Sequence, residues 1–285
     1  MGLFSDLSKM GLSSFDKKKV IEDKSKEAVA NAVKAKAPVK VMTEKDYLLS
    51  REYDCPVCEW KFKSLSVKSG KARQTGQEID MRIHYDGIDP VKYDVVSCPY
   101  CGYSAIASQF SNVLKRHIAD IKEQVSMNFI PDDGWENVEE PYSYKQAIMR
   151  FKLALICAMV KKAKPSELAF ISLKLHWLLE GYMETLSDDS EDYQKAKADN
   201  EECIKNACEG FTKAFSTENL PVFGLDDTTM PYLIAALNYL LGQYDTARMV
   251  VGRVITNRNA SPRIKDKARS LKEMIDEKTG TSGLS

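Results

Sequence analysis

Two Cys-Pro-x-Cys elements constrain this chain more than any other feature of its sequence. They are Cys55-Pro56-Val57-Cys58 and Cys98-Pro99-Tyr100-Cys101. A two-residue spacer lets a tight turn direct both sulfurs at one ion, so two such turns supply the four thiolates of a tetrahedral zinc site. Gly102 suits the left-handed backbone that such a turn needs, whereas Glu59 holds the matching place after the first pair. We therefore predict one zinc ion with four ligands: Cys55, Cys58, Cys98 and Cys101.

The ligand set predicts a structural role for this metal. Four thiolates close the coordination shell and leave no position for the bound water of a hydrolytic site. His84 lies between the two pairs in a strand-like run and is expected to be a surface or packing histidine, as His176 is in its helical pattern. The remaining cysteines fall in helical patterns and are expected to be small buried apolar residues: Cys157, Cys203 and Cys208.

The second cysteine pair leaves another interpretation open. Cys-Pro-Tyr-Cys is also the active-site sequence of glutaredoxins, and here it follows a strand-like run and precedes a helical pattern. A glutaredoxin-like fold needs further strands, however, and the Cys55/Cys58 pair would go unexplained. Zinc accounts for both pairs, and a thiol oxidoreductase using Cys98 and Cys101 is the alternative. No G-x-S-x-G, Walker-type or dinucleotide motif occurs, so we predict that the protein is not an enzyme.

Charge and hydropathy exclude other classes of protein. No run approaches the roughly 18 apolar residues of a membrane span, and the opening MGLFSDLSKM lacks the features of a secretory signal. Seven cysteines without an export signal predict a reducing, cytoplasmic location. The formal net charge is +0, without the basic excess of a nonspecific nucleic-acid binder. A nucleic-acid-binding regulator is a less favoured alternative, and it rests on one basic stretch. This stretch contains Lys61, Lys63, Lys68, Lys71 and Arg73.

The chain divides into regions that differ in composition and in the spacing of their apolar residues. Residues 1–48 are expected to form a flexible tail with a short amphipathic segment at its start. Residues 49–104 contain short strand-like runs and too few large apolar residues for a core of their own, which predicts a zinc-ribbon-like β domain. Residues 105–277 repeat apolar residues at helical spacing and predict a helical domain, followed by a disordered tail over 278–285.

Helix boundaries and one repeat-like pattern refine the helical region. Ser143 with Gln146 forms a capping box, and Ser261 precedes a first-turn proline. The run from Gly242 to Ala247 is similar to the middle of a tetratricopeptide repeat, and Tyr144 begins a partial second match. Helices joined by short turns predict stacked hairpins. The predicted fold is therefore mainly α, a small β domain followed by a tetratricopeptide-like helical-hairpin domain.

Several segments together resemble a bacterial family known as domain of unknown function 2225. They are YDCPVCEWKFKSLSVKSG, GKARQTGQEIDMRIHYDGIDPVKYDVVSCPYCGYSAI, the helical SYKQAIMRFKLALICAMVKKAKPSELAFISLKLHWLLEGYME and the opening GLFSDLSKMGLSSF. The two CPxC pairs belong to the family pattern, and Glu59-Trp60 departs from it. The resemblance implies a bacterial cytosolic protein with a zinc-ribbon-like head and a helical body, without an assigned activity. We expect a non-enzymatic scaffold that binds a protein or peptide through its helical domain.

Overall fold

Six short strands come first in the part of the chain that the computed structural model describes, residues 42–131 and 134–280. They pair as three antiparallel hairpins, β1 with β2, β3 with β4, and β5 with β6. Their bounds are β1 Leu48–Asp54, β2 Lys61–Val67, β3 Gln74–Gln77, β4 Ile83–Tyr85, β5 Val95–Ser97 and β6 Ser104–Ile106. Three 3-10 turns accompany them: Glu44–Tyr47, Pro90–Tyr93 and Ala107–Gln109. The strand region predicted near the cysteines is thereby confirmed.

Seven α-helices follow the strands within the described residues. They are α1 Lys115–Ile121, α2 Tyr144–Val160, α3 Pro165–Met183, α4 Glu191–Thr217, α5 Thr229–Leu240, α6 Tyr244–Thr256 and α7 Pro262–Thr279. Each helix from α2 to α7 contacts the next one along the chain. The Ser143 hydroxyl caps α2 in the predicted capping box, and the Ser261 hydroxyl caps α7. The mainly helical fold is confirmed, and the likeness to tetratricopeptide repeats stays a prediction.

The helical region predicted from residue 105 begins later than expected. Residues 104–106 form β6 instead, because Val96 pairs with Ala105 and Val95 with Ile106. A short buried strand and a buried stretch of helix have similar apolar runs, so spacing alone did not distinguish them. Between α1 and α2, only a π-helical turn at Lys122–Ser126 continues the helical backbone in the described residues.

The strand region also begins before the predicted boundary at residue 49. Glu44–Tyr47 form a 3-10 turn, and both Tyr47 and Leu48 are buried. Residues from Met42 onward group into one compact unit. The amphipathic segment predicted at the start of the chain lies outside the described residues, as do residues 281–285 of the predicted C-terminal tail. Helix α7 includes residues 278 and 279 of that tail.

The cysteine-bearing hairpins share their apolar core with the helices. Phe110 packs with the cysteines, and Ile121 of α1 and Cys157 of α2 belong to the same buried cluster. On the other side of the hairpin, Val95 and Ile106 join the main helical core. Residues 49–104 contain too few apolar side chains to bury one another, so they pack on α1 and α2.

Candidate metal centre

The first cysteine pair occupies the turn between β1 and β2. Cys55 follows the last residue of β1, and its backbone carbonyl accepts a hydrogen bond from the Glu59 N–H at 2.9 Å. The Cys55 N–H donates to the Trp60 carbonyl at 3.0 Å and closes the hairpin. Glu59 has a φ of 66°, so the first turn adopts the left-handed backbone although its residue at this position is not glycine. The turn holds Cys55 and Cys58 on the same side of the loop.

The second pair repeats this geometry between β5 and β6. The Cys98 carbonyl accepts from the Gly102 N–H at 3.1 Å, and the Cys98 N–H donates to the Tyr103 carbonyl at 2.8 Å. Gly102 has a φ of 72°. The same two hydrogen bonds occur at the same spacing in both turns, so the two pairs form matching knuckles.

The two knuckles bring the four sulfurs together. The Sγ atoms of Cys55 and Cys101 lie 3.6 Å apart, and those of Cys58 and Cys98 lie 3.5 Å apart. All four Sγ atoms lie within 4.8 Å of one another. A tetrahedral ion with metal–sulfur bonds of about 2.3 Å places its ligands about 3.8 Å apart, which matches this spacing. The four cysteines could therefore hold one metal ion.

Burial and charge both favour a cation at this position. Cys55, Cys98 and Cys101 are buried and Cys58 is partly exposed. Hydrogen bonds from Cys101 and Cys98 lower the pKa of the Cys55 thiol, and the bond with Cys55 in turn raises the pKa of the Cys101 thiol. The sulfurs are too close to carry several negative charges by themselves. A metal cation offsets the repulsion between the sulfurs, so the thiols that coordinate it can all be deprotonated.

Aromatic side chains and one buried thiol surround the knuckles. Tyr103 and Phe110 are fully buried with ring centroids 5.0 Å apart, and the Tyr103 hydroxyl donates to the Phe110 carbonyl at 3.0 Å. Cys157 of α2 lies beneath the second knuckle, with its Sγ 3.9 Å from the Gly102 carbonyl oxygen. On the outer side, the rings of Trp60 and Tyr100 lie 5.3 Å apart and are exposed. The centre thus has one apolar side against the helices and one open side.

The remaining residues singled out by sequence lie away from this cluster. The partly exposed His84 contacts a carboxylate oxygen of Glu78 through Nε2 at 2.6 Å and belongs to no metal-ligand group within the described residues. Cys157, Cys203 and Cys208 are buried, as predicted, and burial raises the pKa of the Cys157 and Cys208 thiols to about 11 and that of Cys203 to about 12.

The basic stretch is partly neutralised by its surroundings. The Lys61 ammonium lies 3.6 Å from the Asp54 carboxylate and 3.8 Å from that of Glu52 on the paired strand. The Lys68 ammonium donates to the Asp46 carbonyl at 2.9 Å. Lys61 therefore pairs with acidic groups of β1, whereas Lys68 contacts a backbone carbonyl.

A buried polar network is the main feature that sequence reasoning missed. Asp80, in the turn between β3 and β4, accepts a hydrogen bond from the Trp177 indole at 2.6 Å and lies 3.0 Å from Nε2 of His176. The other His176 nitrogen lies 2.6 Å from the Asn200 side-chain oxygen. Asp80 lies almost 100 residues from His176 and Trp177 in the sequence. The only local sign of this network in the sequence is one acidic residue, Asp80, between the apolar residues Ile79 and Met81.

The fold and the site define a mainly helical protein with a candidate four-cysteine metal centre. The family DUF2225, described as "Uncharacterized protein conserved in bacteria", matches residues 48–275, and the chain belongs to this family. The resemblance inferred from the sequence is thereby confirmed.

The chain is also similar to one curated bacterial protein. An uncharacterized protein of Borreliella burgdorferi is 26% identical over 127 residues, which cover 40% of this chain and 45% of that protein. The match therefore spans less than half of the relative's length. No solved structure matches the chain. No helix in the described residues has the length and apolar character needed to cross a membrane.

Proposed function

We propose that Cys55, Cys58, Cys98 and Cys101 bind one zinc ion with a structural role. The observation that carries this proposal is the convergence of four sulfurs from two matching knuckles. Thiolate donors at tetrahedral spacing suit zinc, and four of them leave no site for a reacting water. Burial of Cys98 and Cys101 supports this assignment over a thiol oxidoreductase, whose attacking sulfur must be accessible.

Metal analysis of the purified protein tests the zinc site. We expect about one zinc per chain in the wild type and loss of zinc in Cys98→Ser, since a hydroxyl is a poor substitute for a thiolate ligand. Cys203→Ser is the matched control, because Cys203 is also buried but lies on α4. Unchanged zinc content in Cys98→Ser contradicts the site.

Thiol titration separates the metal site from redox chemistry. We expect the four knuckle thiols to be masked until a chelator removes the metal. A reactive thiol of low pKa at Cys98 or Cys101 in the metal-loaded protein would support the oxidoreductase instead.

For the helical region we propose a non-enzymatic scaffold, acting in the bacterial cytoplasm, that binds a partner protein. A groove of about 870 Å³ lies between α4, α5 and α6. Its lining includes Ile234 and Val254, and two exposed apolar side chains border it, Phe215 on α4 and Met249 on α6. Apolar side chains that line a concave surface are typical of peptide-binding grooves.

Charges around the groove indicate which partner it suits. Three cations line it, Lys205, Lys213 and Arg253, against the two acids Glu209 and Asp227. None of the five forms an ion pair within the described ranges, so the cations are available to a ligand. We therefore propose that the groove binds an amphipathic segment with acidic residues beside its apolar ones.

Two labelled peptides test the groove, one with acidic and one with basic residues flanking the same apolar side chains. We expect the acidic peptide to bind the full chain more tightly, with an affinity that falls as salt rises. Met249→Glu should weaken its binding about tenfold or more, because a carboxylate then faces the apolar and acidic ligand.

Met159→Glu is the matched control, since Met159 is an exposed methionine on α2 outside the groove. Equal affinity for the two peptides, equal loss in the two variants, or no binding of either peptide contradicts the proposal.

A further inference from the structure

A second cavity lies between the strand region and the helices, and its lining is polar. It measures about 320 Å³, at the lower end of the volumes of small-molecule sites. Four separated parts of the chain meet there: Glu44, the 82–92 segment, Tyr144 at the start of α2, and Glu184 after α3. Its charged groups are Arg82, Lys92, Glu44, Asp89 and Glu184, with His84 beside them.

Arg82 is buried beside the cavity and retains hydrogen-bond donors without a partner. Its side chain is 7% exposed, and its Nη1 atom lies 2.7 Å from a Glu184 carboxylate oxygen and 3.3 Å from one of Glu78. Within the described part of the chain, Nη2 makes no hydrogen bond. An acceptor that approaches this nitrogen would form a charge-assisted hydrogen bond with the buried guanidinium.

Lys92, the other cation of the cavity, is already neutralised. Its ammonium lies 2.7 Å and 2.9 Å from the two Glu44 carboxylate oxygens. The Tyr93 hydroxyl donates to the same carboxylate at 2.8 Å. This ion pair therefore contributes no net charge to the cavity.

Asp89 is the acid of the cavity that makes no direct ion pair. Its carboxylate accepts hydrogen bonds from the Val91 N–H at 3.1 Å and the Tyr144 hydroxyl at 3.2 Å, and no lysine or arginine of the described residues forms an ion pair with it. Burial raises the pKa of Asp89. Arg82 and Lys92 act on the carboxylate without forming an ion pair with it, so a ligand with a cationic donor would supply a counter-charge in direct contact.

The fold brings these groups close together by omitting a side chain on α3. A Cβ added at Gly181 would lie 2.8 Å from the Tyr144 hydroxyl, 3.0 Å from the Arg82 Nη2 atom and 3.1 Å from an Asp89 carboxylate oxygen. The free guanidinium donor and the unpaired carboxylate thus lie within one small volume. They present opposite charges close to one another.

We propose that this cavity binds a free α-amino acid, with the ligand ammonium at Asp89 and the ligand carboxylate at Arg82. A zwitterion matches both the carboxylate that lacks a direct ion pair and the unused donors of the Arg82 Nη2 atom, and it adds no net charge to a partly buried site. The volume suits a ligand of this size. This site is independent of the metal centre and of the groove between α4 and α6.

Isothermal titration of the full chain with the standard amino acids tests the proposal. We expect at least one of them to bind with millimolar or tighter affinity, and Asp89→Asn to weaken its binding about tenfold or more. Asp192→Asn is the matched control, because Asp192 pairs with Lys145 at the surface of α4. Circular dichroism checks that both variants are folded.

Analogues of the amino acid that binds separate recognition of the zwitterion from other contacts. The α-hydroxy acid lacks the ammonium and the amino-acid amide lacks the carboxylate, so both should bind about tenfold more weakly or worse. The proposal is overturned if no amino acid binds at about 10 mM. It is also overturned if both analogues bind as well as the parent or if Asp89→Asn and Asp192→Asn behave alike.

Discussion

Glu59 and Gly102 occupy the same left-handed backbone position in the two knuckles, with φ values of 66° and 72°. Glycine adopts this conformation freely, whereas a residue with a Cβ is strained by roughly 1–2 kcal/mol. Glu59 is exposed, so its side chain gains little burial in return. Both positions could be recognised from the spacing of the cysteines, because the turn after a Cys-x-x-Cys pair needs this backbone.

Glu59→Gly should therefore stabilise the metal-loaded protein. We expect the free energy of unfolding to rise by about 1 kcal/mol in urea, since the substitution relieves the strain without removing a buried contact. Gly102→Ala serves as the opposite case. Its Cβ would lie 2.5 Å from the Phe129 ring, so stability should fall by more than the strain alone. A loss of stability in Glu59→Gly contradicts the strain argument.

The buried pair of Asp80 and His176 gives a second prediction at this scale. Hydrogen bonding to His176 opposes burial and lowers the pKa of Asp80, and the same bond to Asp80 opposes burial and raises the pKa of His176. The contribution of Asp80 is present above about pH 3.9 and is lost as pH falls through its lowered pKa. That of His176 is complete below about pH 6.5 and is lost as pH rises through its raised pKa.

Urea unfolding of wild type and His176→Gln across pH measures this dependence. We expect the stability advantage of the wild type to be largest between about pH 4 and pH 6.5 and to shrink on the alkaline side. An advantage that stays constant up to pH 9 would show that His176 does not titrate with folding.

At the scale of elements, α3 and α4 approach each other so closely at Gly210 that a larger side chain would not fit there. A Cβ at Gly210 of α4 would lie 2.8 Å from the Ala169 Cβ and 3.2 Å from the Pro165 carbonyl oxygen. Gly252 of α6 has no atom within 4 Å of the same position. In the sequence, Gly210 and Gly252 both lie in helical runs, and only the packing distinguishes a required glycine from a replaceable one.

Alanine substitutions at these two glycines should have opposite effects. Gly252→Ala should raise the free energy of unfolding by about 1 kcal/mol, because alanine is the better helix former. Gly210→Ala should lower it by about 1–2 kcal/mol, since the added methyl group forces α3 and α4 apart. Thermal and urea unfolding measure both changes, and a stabilising Gly210→Ala contradicts the close contact.

At the scale of the whole molecule, the four-cysteine cluster packs against more than the strands that carry it. Ile121 of α1, Val125 of the π-helical turn and Cys157 of α2 are buried in the same cluster as the cysteines. Helices α5, α6 and α7 have a separate cluster that includes Ala247 and Leu271. Loss of the metal should therefore affect these two parts of the molecule differently.

Hydrogen exchange after chelation measures how far the effect reaches. We expect amide protection to fall in β1, β2, β5, β6 and α1 and along the face of α2 near Cys157. The metal would no longer hold together the core that these elements share. Protection in α6 and α7 should change little. Uniform loss of protection in all helices would show that the metal supports the whole fold instead.

The sequence by itself determined the four cysteines of the candidate metal centre, most helix boundaries and the family. These features are local: a two-residue spacer fixes a turn, a capping serine begins a helix, and apolar spacing marks a helical face. Residues 105 and 106 were assigned wrongly to the helical region because their strand identity depends on pairing with β5.

Only the tertiary structure placed Asp80 against His176 and gathered Arg82, Asp89 and Tyr144 around Gly181. These contacts join residues far apart in the chain, and their energy depends on burial. A polar side chain in a local pattern does not reveal whether it will be buried or which distant group will satisfy it, so packing decided these sites.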